Sequence, residues 1–123
     1  MKKIRGIATA TAVLALTLGT AQAAMANSFD RDLGGGARVW YDDGTDTLCA
    51  SLSSSAYYDT MSLNAYPDIA GRGPTLGSTL SRGQRSCKSL ATAYEDSVYH
   101  YYGTLGFVPT SRSGQRYGGD FWS

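Results

Sequence analysis

Acid–base chemistry near neutral pH depends most often on histidine, and this chain has one, His100. A histidine that activates a nucleophile needs a serine or cysteine partner, but no serine lies in a G-x-S-x-G elbow. His100 also lies between two tyrosines in a run of strand-forming residues. We therefore interpret it as a structural residue and predict no catalytic residue. A small hydrolase that uses His100 or an aspartate-lined loop is the alternative.

Metal chemistry has little support in the residue types present. Zinc needs three or four clustered ligands, which one histidine and one pair of cysteines do not supply. Asp42, Asp43 and Asp46 surround Gly44, as in a calcium loop, but the EF-hand spacing is not met and its distal glutamate is missing. A solvated turn is the favoured interpretation, and the sequence predicts no metal site and no cofactor.

Two further patterns could carry chemistry and are better read as loops. Glu95 and Asp96 are adjacent, so on a strand they would point to opposite faces and could not flank one glycosidic bond. The glycines of Gly71-Arg72-Gly73 precede no predicted helix, so they do not form a phosphate-binding loop.

The most unusual feature is the aromatic content, since the chain has nine tyrosines and two tryptophans. Tyr99 and Tyr101 are two apart, so on a strand they share one face and form a platform for a sugar ring or a protein partner. With Trp40 and Trp122 they are the predicted binding residues. The alternative is that about half of these rings belong to the core, in a chain that is short of Ile, Phe and Leu.

The N-terminus has the pattern of an export signal. A basic segment at 1–5 is followed by an uncharged, largely apolar stretch at 6–18 and then by small residues. The sequence predicts a signal peptide over 1–26, with cleavage after Ala23 as the alternative. The apolar stretch is shorter than the ~20 residues that span a bilayer. We expect a secreted product of the general secretory route, with no membrane anchor.

Loss of that segment changes the charge balance. Eleven basic and ten acidic residues become eight and ten once Lys2, Lys3 and Arg5 are removed, which gives a net charge of −2. A weakly acidic domain has no basic stripe with which to bind phosphates or an anionic membrane surface. Nucleic acid and membrane are therefore not expected as partners.

Cys49 and Cys87 are the only cysteines. In an oxidising compartment an even pair predicts a disulfide bond. Closure of a loop of about 38 residues would stabilise the fold by ~4 kcal/mol in the chain-entropy description. A catalytic thiol is the less favoured alternative.

Turn-forming residues divide the exported part into short elements. A polar, glycine-terminated segment at 27–36 predicts a flexible lead-in, and 37–123 predicts a single β-domain. Asp43-Gly44 predicts a hairpin between strands at 37–42 and 45–52. A two-residue loop would pair Val39 with Leu48. A longer, bulged loop would instead place Val39 and Cys49 on one face.

The remaining segments predict further short strands. Alternation indicates a half-buried strand over 57–66. The glycines, proline and Ser or Thr residues of 70–83 predict a surface loop. A strand is favoured over a helix at 86–94, and strands are predicted at 98–102 and 105–108. The segment from 110 onward ends in Phe121-Trp122, which either closes the sheet or extends from it. Five to seven short antiparallel strands and one disulfide predict a small all-β sandwich or a partly open barrel.

The segment from Val39 through Tyr41-Asp42-Asp43-Gly44-Thr45-Asp46-Thr47-Leu48-Cys49 resembles a hairpin of the tendamistat-type proteinaceous α-amylase inhibitors. The resemblance implies a small secreted β-sandwich in which the cysteine of the hairpin bonds one further along, here Cys49 with Cys87. The chain lacks that family's first disulfide and its Trp-Arg-Tyr inhibitory loop, and it continues well past Cys87. No inhibitory residue is carried over.

These observations favour a secreted, non-catalytic β-domain that binds an extracellular protein, as an inhibitor does, or a glycan. We expect a monomer. The alternatives are a small secreted hydrolase and a structural or cell-surface protein without a discrete ligand.

Overall fold

The computed structural model describes residues 27–108 and 112–123. The predicted signal peptide lies outside the described residues. Eight strands form the described part: β1 Phe29–Gly34, β2 Ala37–Asp42, β3 Thr47–Leu52, β4 Thr60–Pro67, β5 Leu76–Ser81, β6 Arg85–Ser89, β7 Val98–Gly106 and β8 Gln115–Trp122. Within these residues no helix is long and apolar enough to cross a membrane.

The strands form two four-stranded antiparallel sheets. Sheet A has the order β1-β2-β3-β6, and sheet B has the order β5-β4-β7-β8. The predicted all-β sandwich is therefore confirmed, with eight strands where five to seven were expected. The chain crosses from one sheet to the other between β3 and β4, between β5 and β6, and between β6 and β7.

Alternation of apolar and polar residues places the core between the sheets. Every second residue of β2 is buried, beginning with Ala37, and the same period buries Met61, Leu63 and Ala65 of β4. On β7 the buried positions begin with Tyr99 and continue at every second residue to Leu105. The polar residues between them therefore form the two outer faces of the sandwich.

The core contains four buried tyrosines, and each of their hydroxyl groups has a hydrogen-bond partner. Tyr41 donates to the Asp46 carboxylate at 3.2 Å, Tyr99 to the carbonyl of Pro74 at 2.9 Å, and Tyr117 to the carbonyl of Ser62 at 2.5 Å. The hydroxyl of the fourth, Tyr101, accepts a bond of 3.1 Å from the guanidinium of Arg31. Because a buried polar group without a partner is costly, these bonds allow tyrosine to fill the core.

The predicted disulfide is present. Cys49 and Cys87 lie directly opposite each other on β3 and β6, with their Cα atoms 4.1 Å apart. The bond lies on the outer face of sheet A, where Trp40 is the partner of Cys49 on β2. It joins β6, an edge strand that follows the crossover from sheet B, to the centre of sheet A.

Two expectations about irregular segments were wrong. The segment 27–36, expected as a flexible lead-in, contains β1. Phe29 and Leu33 pack against the core, Arg31 between them reaches the Tyr101 hydroxyl, and Asp30 and Asp32 face solvent at the edge of the sheet. The glycines of this segment form the β1–β2 turn, and Gly34, Gly35 and Gly36 all have positive φ angles. The ordered domain therefore begins before residue 37.

The expectation of a long loop over 70–83 was wrong for the second half of this segment, which forms β5. Leu80 of β5 is buried and Leu76 packs against the core, but the three residues between them, Gly77, Ser78 and Thr79, obscure this alternation. The segment 86–94 is a strand, as favoured, only as far as Ser89. The expected strands at 98–102 and 105–108 are one strand, β7, which ends at Gly106.

The hairpin of β2 and β3 is confirmed, but its loop has four residues, 43–46. Val39 pairs with Ala50 and Trp40 with Cys49, so neither proposed pairing is correct. Asp46 has a positive φ of 51°, and the Asp42 carboxylate accepts a hydrogen bond from the amide of Gly44 at 2.9 Å. The loop is longer than the expected two-residue loop by an even number of residues, which leaves the facing of each side chain unchanged. Val39 therefore points into the core and Cys49 to the outer face of the sheet.

Among the glycines of sheet B, Gly103 has the least space for an added Cβ atom. A Cβ atom there would lie 1.8 Å from the carbonyl oxygen of Ser62 and 2.5 Å from the Tyr117 hydroxyl. We expect Gly103→Ala to destabilise the protein by about 2 kcal/mol or more, since overpacking forces the neighbouring backbone to move. The measurement is the midpoint of urea unfolding. Gly77→Ala is the control, because its Cβ would meet only the Asn64 side chain, at 3.3 Å. Equal midpoints for the two variants would contradict this account.

Candidate binding face

The outer face of sheet B carries a group of exposed aromatic side chains around His100. We call it the tyrosine–histidine face and define it by Tyr66, His100, Tyr102 and Trp122. Tyr66 of β4 pairs with His100 of β7, which pairs in turn with Asp120 of β8, so these three form one row across the sheet. Trp122 lies two residues beyond Asp120, and outward-facing residues two apart on a strand are neighbours.

The aromatic side chains of this face are exposed, and the Tyr66 ring is inclined to the rings of Tyr102 and His100. Tyr66, Tyr102 and Trp122 are 44%, 52% and 53% exposed. The rings of Tyr66 and Tyr102 have centroids 6.1 Å apart and planes at 72°, and the Tyr66 ring makes an angle of 45° with the His100 ring at 5.3 Å. The face is therefore rich in exposed ring surface but is not a flat stacking platform.

His100 is held between two carboxylates from different elements. Its Nδ1 lies 2.6 Å from Oδ1 of Asp120, and its Nε2 lies 2.6 Å from Oδ1 of Asp68, the residue after β4. A neutral imidazole has one N–H, so both contacts are hydrogen bonds only when the ring is protonated. The bond to Asp68 and then the bond to Asp120 raise the pKa of His100 above its usual value.

This arrangement constrains the chemistry of His100. The two carboxylates bind opposite nitrogen atoms of the ring, so they do not converge with it on one metal position. Within 27–108 and 112–123, no group of three or more His, Cys, Asp or Glu side chains could hold a metal ion. Neither nitrogen is directed at a hydroxyl group in this geometry, because each already contacts a carboxylate.

A cleft of about 250 Å³ lies at the end of the tyrosine–histidine face. Its lining comes from the turn after β4, the residues before β7 and the end of β8: Asp68, Ile69, Arg72, Asp96, Ser97, Val98 and Trp122. Asp68 belongs both to the cleft and to the His100 cluster, so the cleft and the face are continuous.

The four predicted binding residues are not brought together. Tyr99 and Tyr101 share one face, as predicted, but it is the core face, with both side chains buried, so the platform prediction was wrong. Trp40 lies on the outer face of sheet A, with the guanidinium carbons of Arg38 and Arg85 at 4.3 and 5.5 Å from its ring. Only Trp122 belongs to the face described above.

Four residues of this site were not predicted from the sequence: Tyr66, Asp68, Tyr102 and Asp120. The alternation of β4 was a signal for Tyr66, because Thr60, Ser62 and Asn64 form the polar side of this strand and Tyr66 continues that series. Tyr102 follows Tyr101, so placing one ring in the core places the other outside. Asp68 and Asp120 had no local signal, because their role depends on strand pairing between distant segments.

The other acidic pairs are in turns. Asp46 accepts the bond from Tyr41, and Asp42 bonds the turn, so these carboxylates serve the hairpin itself. Glu95 and Asp96 lie in the turn before β7, where Asp96 has a φ of 54° and accepts a hydrogen bond from the Asn27 side chain at 3.0 Å.

Comparison with known proteins adds no family assignment. No protein-family model matches the chain, and neither the curated proteins nor the solved structures give a match.

Titration of His100 should be visible in stability. The pKa of His100 in the folded protein is raised above the ordinary value of 6.5. The contribution of His100 to the free energy of unfolding is therefore fully present below pH 6.5 and is lost as the pH rises through the pKa of the folded state. The checks are the His100 ring resonances, followed by NMR against pH, and urea unfolding on both sides of the transition.

Asp120→Asn should lower the pKa of His100, and His100→Gln should remove this part of the pH dependence. A His100 pKa at or below the ordinary value in the wild-type protein would contradict the two-carboxylate geometry.

Proposed function

We propose that this chain is a secreted, non-catalytic binding domain whose tyrosine–histidine face docks an extracellular protein. The observation that carries the proposal is the adjoining pair of exposed rings of Tyr66 and Tyr102 on the outer face of a regular sheet, with the exposed Trp122 further along the same face. Large exposed aromatic side chains that adjoin one another are typical of interaction sites rather than of free protein surface.

The inclination of the rings favours a protein over a polysaccharide. Rings whose planes are 72° apart cannot both lie against one flat carbohydrate surface. The surface of a folded protein is irregular, and inclined Tyr and Trp side chains fit its pockets. The carboxylates of Asp68 and Asp120 provide polar groups at the border of the rings, as in interfaces with an apolar centre and a polar rim.

The supporting elements favour a preformed site. Tyr66 and Tyr102 lie on β4 and β7, the two central strands of sheet B, and Trp122 lies near the end of the adjacent β8. Side chains on paired strands lose little backbone freedom when they bind, which reduces the entropic cost of association.

Three further observations support this class of function. The disulfide is consistent with an extracellular protein. The resemblance of the β2–β3 hairpin to tendamistat-type inhibitors suggests secreted hydrolases, among them α-amylases, as the first partners to test. Contact of both ring nitrogens of His100 with carboxylates supports binding rather than hydrolysis.

The test is capture on the immobilised secreted protein. The probes are purified secreted hydrolases, including an α-amylase, a serine protease and a metalloprotease, together with starch, cellulose and chitin. We expect one hydrolase to be retained. The Tyr66→Ala, Tyr102→Ala double variant should then bind it at least about tenfold more weakly, as expected for aromatic residues at the centre of an interface.

Tyr57→Ala is the matched control, because Tyr57 is 57% exposed but packs against Phe107, outside the tyrosine–histidine face. It should leave the affinity unchanged. Retention of a polysaccharide alone, or a hydrolase affinity that the double variant does not alter, would overturn the proposed docking face.

A further inference from the structure

The cleft beside Trp122 has the dimensions of a pocket for one side chain. Its volume of about 250 Å³ is below the roughly 300 Å³ at which pockets for drug-sized ligands begin. Ile69, which is 55% exposed, Val98 and the indole of Trp122 provide apolar surface along its lining. Such surface packs well against the methylene groups of a long side chain.

Negative charge predominates around this cleft. Asp68 and Asp96 line it, and Asp120 lies beyond Asp68 across the His100 ring. Arg72 is the single lysine or arginine among the residues that line it, and its guanidinium carbon lies 5.2 Å from the centroid of the Tyr94 ring. An entering cation would therefore meet two carboxylates at the lining, beside the exposed indole of Trp122.

The tyrosine–histidine face holds one cation in this manner when His100 is protonated. The His100 ring lies between the carboxylates of Asp68 and Asp120, with the Tyr66 ring 5.3 Å away. Asp68 is shared, since it both bonds His100 and lines the cleft. A second cation in the cleft would thus share Asp68 with His100.

We propose that the cleft binds an arginine or lysine side chain of the protein partner and that protonated His100 competes with it for Asp68. This inference rests on the proposed function, because it names the group by which the partner is anchored to the face.

The competition makes binding depend on pH. The titratable groups that face His100 are Tyr66 and Asp68 from β4 and the residue after it, and Asp120 from β8; Tyr102 is its neighbour on β7. When His100 loses its proton, one of the two carboxylates loses a charge-assisted bond and the local charge becomes more negative by one. Affinity for a basic side chain therefore increases as the pH rises through the titration of His100.

The first experiment uses N-acetyl-arginine amide as the probe and the isotope-labelled secreted protein. We expect saturable NMR shifts of the Ser97 and Val98 amides and of the Trp122 indole N–H. N-acetyl-norleucine amide and N-acetyl-glutamate amide are the matched controls, with a neutral and an acidic side chain. Equal binding of all three probes, or preference for the acidic one, would overturn the inference.

The second experiment tests the assigned groups. Asp96→Asn should weaken binding of the arginine probe by roughly two- to fivefold, the range expected for an ion pair at a solvent-exposed carboxylate. Arg72→Gln should strengthen it, because a competing cation is removed. His100→Gln should bind without the pH dependence of the wild-type protein. Asp32→Asn, on β1 of the other sheet, is the control for loss of a carboxylate elsewhere.

Failure of this inference can be distinguished from failure of the proposed function. If a hydrolase is captured through Tyr66 and Tyr102 but the arginine probe does not bind, the cleft is not the anchor and the docking face stands. If the arginine probe binds with the expected variants while none of the hydrolases is captured, the cleft is a site for a basic group and the docking proposal fails.

Discussion

The register of β7 between β4 and β8 is the constraint on which both the core and the candidate binding face depend. β7 places Tyr99 and Tyr101 inside the sandwich and His100 and Tyr102 outside it. Because side chains alternate strictly, a shift of one residue would exchange these two sets. The bonds of His100 to both neighbouring elements exist only in this register, and Gly103 allows the close approach of Tyr117 that accompanies it.

The fold class could be predicted from local sequence signals. The division of the tyrosines between the core and the surface could not. The Asp43-Gly44 hairpin, the alternation of β4 and the cysteine pair predict a disulfide-linked sandwich. Tyrosine is compatible with both the core and the surface, because burial requires only that its hydroxyl finds a partner. The partners here, such as Pro74 for Tyr99 and Ser62 for Tyr117, come from distant segments, and no local pattern indicates them.

The candidate site was predicted only in part for a related reason. Trp122 was identified by residue type, whereas Asp68 and Asp120 acquire their role only after β4, β7 and β8 are paired. Periodicity indicates which residues share a face, but it does not indicate which face meets the opposite sheet when both contain tyrosine. The polar composition of β1 and β5 concealed two edge strands, because an edge strand buries few side chains.

The four edge strands of the sandwich face each other in two pairs. The guanidinium of Arg31 on β1 donates to the carbonyl of Gly118 on β8 at 2.8 Å, and the hydroxyl groups of Ser78 on β5 and Ser86 on β6 lie 2.8 Å apart. Each edge thus lies against an edge of the opposite sheet, and the Gly118 carbonyl of β8 is already occupied, which disfavours the addition of a foreign strand. Recognition by strand addition is accordingly less accessible to this architecture than recognition through the side chains of an outer face.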